Sequence, residues 1–519
     1  MNNYQNPIRK GMYPDPSIVR VDNVYYMVNS TFEYFPGISV AKSEDLINWQ
    51  PLPSIINKRS QADLSRAHSN EGIFAVCIRY HKGYFYIITT NFAEWKNFII
   101  RGKLDQQKDQ IIWEDSRVII DIMGIDPDLY FEDDQAYVQF TGFTSNGQKA
   151  IQQVQIDLET GAIIRGPEIL TFGTGGRDVE GPHIIKRNNS YYLLMAEGGT
   201  GAGHMVTMQK SNHLWGPYTA DNHVNPFFTN RDRADEPLQN IGHADLFQDI
   251  AGNWWLVCLG TRPYRYEHIQ FTNLGRETLL YPVIWEDIWP KIYDGTPSLT
   301  VDLSQFPNHA QILGNLTAND DWKDDFSQLQ INHEWLSLRD SLASRLSVEL
   351  GKLSLRGSQS TLADEATPSF LAVRQTEYNQ LFKVEIDSSQ SRLTEKTGAY
   401  GVACCIDTNH FAAIMVQKLG NEYVFYRQQK VLDLEINQVI GHFSEKPVSF
   451  EIQNKGIEKI FMATLATGEK VQFTTNAIHF SNEAVCALNT GDMLGIYVTG
   501  EDTILTITNA KRERISTNL

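Results

Sequence analysis

Across the first three hundred residues, apolar positions come in short runs that alternate with polar ones, and Gly, Asp and Asn punctuate the gaps between runs. Helical periodicity is weak there, so the pattern predicts short antiparallel strands. The same phrase recurs five times: a polar or acidic opening, a strand, a turn, and a second strand rich in aromatics. The copies are Tyr13-Pro-Asp-Pro-Ser-Ile-Val-Arg with Tyr25-Tyr-Met-Val, Gly72-Ile-Phe-Ala-Val-Cys with Phe85-Tyr-Ile-Ile, Gly124-Ile-Asp-Pro-Asp-Leu with Ala136-Tyr-Val, Glu180-Gly-Pro-His-Ile-Ile with Tyr191-Tyr-Leu-Leu, and Gly242-His-Ala-Asp-Leu-Phe with Trp254-Trp-Leu-Val. Their spacing of roughly 50 to 65 residues suits one four-stranded blade per copy. The fold class expected is all-β: a five-bladed β-propeller over residues 1–300, a linker over 301–322, and a β-sandwich over 323–519.

A propeller brings equivalent positions of its innermost strands together at one mouth of the axis. Aligned on their first chemically distinctive residues, the copies present Asp15, Phe74, Asp126, Glu180 and His243 there. Asp beside Pro often only caps a turn, so Asp15 and Asp126 taken singly have a structural explanation. Glu180 has no turn-forming advantage, and three carboxylates in register repel one another unless something uses them. Two carboxylates across a pocket are what glycoside hydrolysis needs: one protonates the leaving oxygen, the other activates water or attacks directly. On this reading Glu180 is the general acid, Asp126 raises its pKa by nearby charge, and Asp15 is the base. Phe32 and Phe74, expected in loops at the mouth, offer flat apolar faces to a sugar.

Charge narrows the partners. Asp plus Glu number 62 against 45 Lys plus Arg, a net charge of -17, which disfavours nucleic acid and anionic membranes. A short neutral oligosaccharide is the expected partner. The amino-terminal residues show no secretory pattern and no run is long enough to span a bilayer, so a cytoplasmic location is expected. The five cysteines show neither metal-ligand nor disulfide spacing and are read as reduced. A homo-oligomer would be ordinary for an enzyme of this size.

The motifs Asn6-Pro-Ile, Gly11-Met-Tyr-Pro-Asp-Pro-Ser-Ile, Ser30-Thr-Phe-Glu-Tyr-Phe-Pro-Gly, Lys42-Ser-Glu-Asp-Leu-Ile-Asn-Trp, Gly124-Ile-Asp-Pro, Glu180-Gly-Pro-His, Ala196-Glu-Gly-Gly-Thr, Gly242-His-Ala-Asp-Leu and Leu274-Gly-Arg-Glu-Thr are jointly specific. Through them the chain resembles glycoside hydrolase family 43, in particular its two-domain β-xylosidases and α-L-arabinofuranosidases. The resemblance implies the same roles for Asp15, Asp126 and Glu180, and an inverting, exo-acting reaction that releases a terminal pentose. It further implies that Phe32, Phe74, Thr207, His243 and Arg276 surround the terminal sugar, with Arg276 donating to its hydroxyls. No cofactor or metal is required for this chemistry, although a structural cation beside His243 on the axis is compatible with it. Phe74 stands where many relatives carry Trp, and the smaller ring tilts the expectation from xylopyranose toward arabinofuranose. Relatives of this type also lend an aromatic from the second domain to the pocket rim, where this chain reads Ala487-Leu-Asn-Thr-Gly.

Beyond Pro297 the repeat ends. Alternating runs such as Leu381-Phe-Lys-Val-Glu-Ile, Phe411-Ala-Ala-Ile-Met-Val and Val448-Ser-Phe-Glu-Ile predict a jelly-roll-like sandwich that packs on the propeller and closes one side of a pocket. Two other functions fit the same scaffold: a sugar-binding propeller without catalysis, which three retained carboxylates argue against, and an endo-arabinanase, which needs an open groove.

Overall fold

The computed structural model describes residues 3–315, 321–395 and 397–516. Four four-stranded antiparallel sheets and one five-stranded sheet, the second in order, follow one another through the first domain. Their innermost strands are Ser17–Val21, Ile73–His81, Gly124–Glu132, Glu180–Arg187 and Gln239–Gln248. The aromatic second strands of the repeat, such as Tyr84–Asn91 and Ser190–Glu197, are almost wholly buried between neighbouring blades. Among the described residues no strand is exchanged between the first and last blades. The ring is instead clasped by Asn3–Gln5, which pairs antiparallel with Thr300–Asp302.

The stretch expected as a linker is packed where it is described: Val301, Leu303, Phe306 and Leu313 are buried in a core shared by the first, fourth and fifth blades. The second domain is a sandwich of two antiparallel sheets around one core that includes Leu353, Phe382, Val402, Phe450 and Ile507. Its six-stranded sheet runs in the order Ser369–Arg374, Met493–Thr499, Ala399–Asp407, His410–Leu419, Glu422–Val431, Leu434–Phe443.

The two domains are welded by polar groups that each would leave unpaired alone. Tyr34–Phe35 of the propeller pairs with Ser337–Leu338 of the sandwich. Tyr13 donates its hydroxyl to Glu334 at 3.0 Å, while the guanidinium groups of Arg9 and Arg374 lie 3.6 and 4.1 Å from its ring centre. Asn273 donates to the carbonyls of Ala477 and Phe480.

Glu33 lies in this seam with only 1% of its surface exposed and one carboxylate oxygen without a hydrogen-bond partner. Burial pushes its pKa from 4.5 up to about 7, with Arg339 and local backbone N–H groups only partly opposing the rise. A carboxyl raised by folding holds a proton in the native state that the unfolded chain has released. Stability therefore falls as pH climbs from about 4.5 to about 7 and stays at its lower level above that. Glu33→Gln is expected to match wild type in thermal unfolding at pH 4 and to exceed it at pH 8, by on the order of 3 kcal/mol. Equal melting at pH 8 would show that Glu33 is not buried as an acid.

Candidate active site

The inner strands do not run straight into the mouth of the axis. Their ladders skip between Ile73 and Val76, Ile125 and Asp128, Glu180 and His183, and Gly242 and Asp245. Each skip is a bulge, which adds a residue and re-aims its side chain. Asp126, Gly181 and His243 take the first bulged position with φ of 53°, 56° and 45°, and Asp15, just ahead of its strand, has φ 50°. An L-residue held in this left-handed region costs roughly 1–2 kcal/mol, least for Asp.

This geometry corrects the sequence alignment. Asp15, Asp126 and His243 are equivalent, but Gly181 and not Glu180 occupies that position in the fourth blade; Glu180 stands one residue earlier, level with Ile73, Ile125 and Gly242. The offset lets a carboxylate approach the pocket from a different backbone level than Asp126. Glycine at 181 takes this φ without strain and also leaves room for the His243 ring, which a Cβ there would meet at 3.0 Å.

All five residues nevertheless line one small cavity of about 80 Å³, together with Phe32, Arg276, Thr200 and Asn489. Phe74 lies in the inner strand of its blade and not in a loop; its ring is 5.6 Å from Phe32 and stacks on Phe92 at 4.6 Å. Thr207 lies outside the lining. Its hydroxyl donates to buried Glu197, which also accepts from the backbone N–H groups of Thr174 and Gly176 and so braces the turn leading to Glu180. Asn489 comes from the sandwich domain and donates to the carbonyl of Asn70. The second domain therefore does reach the pocket, through the amide of Asn489.

Asp15 and Glu180 are held in opposite electrostatic states. Burial alone would raise the Asp15 pKa, but Arg276, with Nη1 2.8 Å away, and the Ser30 hydroxyl outweigh it and bring the carboxyl below its ordinary range. Arg276 is thus committed chiefly to Asp15, although its Nε has no protein partner and the pocket wall includes it. Glu180 is raised, first by burial and then by the negative charges of Asp178 and Asp15, against the pull of Lys149 at 3.6 Å and of Arg276. Asp126 is raised well above its ordinary value by burial and by Glu180. Asp126 and Glu180 are therefore both raised above their ordinary values and titrate as a pair. His204 has its Nε2 3.9 Å from Glu180, and burial lowers its pKa to about 3; His243 is lowered to about 4 for the same reason. Both rings are neutral at pH 7.

On the axis beside His243, where a structural cation was considered, the Arg79 guanidinium already sits. It donates to Asp245 at 2.8 Å, Asp128 at 2.7 Å and Ser17 at 3.2 Å, and lies 3.0 Å from His183 Nδ1. Cys77, Asp128 and His183 are close enough to share a metal ion, but the Cys77 thiol donates to Asp128 and the other two are spent on Arg79. A second cation beside a permanent one does not fit this donor set. Arg79, Lys149, His204 and Asn489 were not singled out from the sequence; nothing in a lone Arg or Asn announces such a role.

Comparison with known proteins bears on the same residues. The model of glycosyl hydrolases family 43 matches residues 4–290, and that of the β-xylosidase C-terminal concanavalin A-like domain matches 323–505. A non-reducing end α-L-arabinofuranosidase of Bacteroides ovatus is 32% identical, with 96% of this chain and 91% of that protein aligned. A xylosidase/arabinosidase of Butyrivibrio fibrisolvens is also 32% identical, over 88% and 86%. Among solved structures, a xylan β-1,4-xylosidase of Bacillus halodurans superposes with a TM-score of 0.87 at 26% identity, covering 98% of this chain and all of that one. With a family model over more than half its length and a relative this similar across nearly all of it, the chain belongs to glycosyl hydrolase family 43.

Proposed function

We propose that the chain is an exo-acting, inverting glycosidase that releases terminal α-L-arabinofuranose, β-D-xylose or both from short hemicellulose-derived oligosaccharides. The observation that carries this reading is the opposed pair in one small pocket: Asp15 lowered below the ordinary carboxylate range by Arg276 and Ser30, and Glu180 raised above it by burial. Asp15 takes a proton from a water as that water attacks the anomeric carbon, and Glu180 gives its proton to the departing glycosidic oxygen. Asp126 shares that proton between turnovers. The carboxylates suffice for every step, so no cofactor is invoked. The small volume of the pocket favours one terminal sugar over an internal stretch of polymer. The names of the aligned relatives, an arabinofuranosidase and a xylosidase/arabinosidase, support a pentose.

The test is turnover of 4-nitrophenyl α-L-arabinofuranoside and β-D-xylopyranoside, with the first-formed anomer read by proton NMR. Inversion should appear for whichever sugar is cleaved. The kcat/KM profile should be a bell whose acid limb lies below the ordinary carboxylate range, where Asp15 protonates, and whose alkaline limb lies above the ordinary Glu value, where the Asp126–Glu180 pair loses its proton. A retained anomer, or no turnover of either glycoside, would overturn the reading.

A further inference from the structure

Between the two domains, and lined by none of the three pocket carboxylates, lies another cavity of about 270 Å³. Arg9, Tyr13 and Trp49 wall it from the propeller, and Trp322, Glu334 and Arg512 from the sandwich. Three guanidinium groups meet at this seam: Arg9 and Arg374 lie over the Tyr13 ring, and Arg512 bonds to the Arg374 carbonyl. Each is at least nine-tenths buried. Among the described residues their hydrogen bonds go to neutral acceptors: Asn29 Oδ1 for Arg9, the Met12 carbonyl and Tyr13 hydroxyl for Arg374, and the Arg374 carbonyl for Arg512. The buried carboxylate that faces all three is Glu334, 4.0 Å from Arg512 Nη1 and already accepting from Tyr13. Of the other charges on the wall, Lys10 pairs with Glu377 at 2.8 Å, and Asp321 is exposed, so that solvent screens it. Three buried positive charges thus face one negative charge.

Two donors on the same wall are left over. Neither Arg512 Nε nor Trp322 Nε1 has an acceptor among the described residues, although both side chains are more than nine-tenths buried. Strand pairing sets these two residues directly opposite each other, which puts their side chains on one face of the sheet. Buried donors are nearly always satisfied. A water molecule would satisfy the N–H groups and leave the surplus charge; an anion answers both. We propose that this cavity binds a small oxyanion, a phosphate or carboxylate group, held by Arg512 and the Trp322 indole N–H in the field of Arg9 and Arg374. A guanidinium fork matches the oxygens of either group. Ile8, Trp49 and Pro51 line the remaining space, so the charged group can carry a small organic body. Bound there, it ties sandwich to propeller beside Tyr13, two residues ahead of Asp15.

The experiment titrates the full chain with inorganic phosphate and, separately, with acetate, at constant ionic strength in a zwitterionic buffer. Calorimetry and the shift in melting temperature are both read, for wild type, Trp322→Phe and Arg512→Gln. Saturable binding of one anion per chain is expected for at least one of the two probes, and the probe that binds tells phosphate from carboxylate. Trp322→Phe keeps an aromatic ring and removes the N–H, so it should weaken binding roughly fivefold or more. Arg512→Gln also removes a charge and should weaken it roughly tenfold or more. Should Arg512→Gln fold poorly, Trp322→Phe decides alone. Saturable binding of neither anion by either readout, or undiminished affinity in Trp322→Phe, would overturn the site.

Discussion

Asp15→Asn is expected to lower kcat roughly 10³- to 10⁴-fold on every substrate, because Asp15 is the pocket carboxylate lowered below its ordinary range, whereas Asp126 and Glu180 are raised. Glu180→Gln should behave differently. On xylo- or arabinoxylo-oligosaccharides, whose leaving alcohol must be protonated, the loss should be as large. On 4-nitrophenyl glycosides, whose leaving group departs without a proton, it should be roughly 10²-fold or less. The pH profiles separate the roles again: the Asn variant loses the acid limb and the Gln variant the alkaline one. Asp15→Asn also strips Arg276 of its main partner, so intact folding must be checked by circular dichroism beside the kinetics. If both variants lose activity equally on all leaving groups, the assignment of base and acid fails.

The second large effect concerns stability. Arg79→Met leaves Asp128 and Asp245, both essentially buried, facing each other without a cation. Removing one member of such a network typically costs 3–5 kcal/mol; since 21% of the Arg79 side chain reaches solvent, about 3 kcal/mol is expected here. Asp128 and Asp245 are both depressed in the wild type, with burial outweighed by the charge of Arg79. The stability they contribute is present above the unfolded aspartate pKa and is lost as pH falls through their lower folded values. In the variant their pKa values rise, so its deficit against wild type should be widest at pH 7 and shrink toward pH 4. Adding Asp128→Asn and Asp245→Asn should recover part of the loss. A melting temperature for Arg79→Met equal to wild type at pH 7 would mean that the axial cluster carries little.

The blades were legible in the sequence because a repeated strand pair leaves a repeated apolar pattern, and Asp15 and Asp126 stood out because Asp-Pro recurs at the same place in two copies. Glu180 stood out as the first chemically distinctive residue of its copy, but Pro16, Pro127 and Pro182 share one position in the repeat, which puts Gly181 level with Asp15 and Asp126 and Glu180 one residue earlier. Thr207 was attributed to the sugar by resemblance, whereas its hydroxyl serves Glu197. Asn489 and Arg79 lay outside what spacing can reveal. Asn489 meets Asn70 across more than four hundred residues of chain, and Arg79 acquires its partners only when blades close into a ring.

The left-handed turns at Asp15, Asp126 and His243 set a ceiling on how far this enzyme can be made heat-resistant without harming it. Each places a side chain that chemistry wants in a conformation that glycine would adopt without strain, and two of the three also crowd negative charge out of water. Selection for durability alone would replace Asp126 with Gly and gain from it, since strain and repulsion would vanish together. Directed evolution of this scaffold should therefore screen for turnover alongside heat tolerance, because at these three codons the two demands pull in opposite directions.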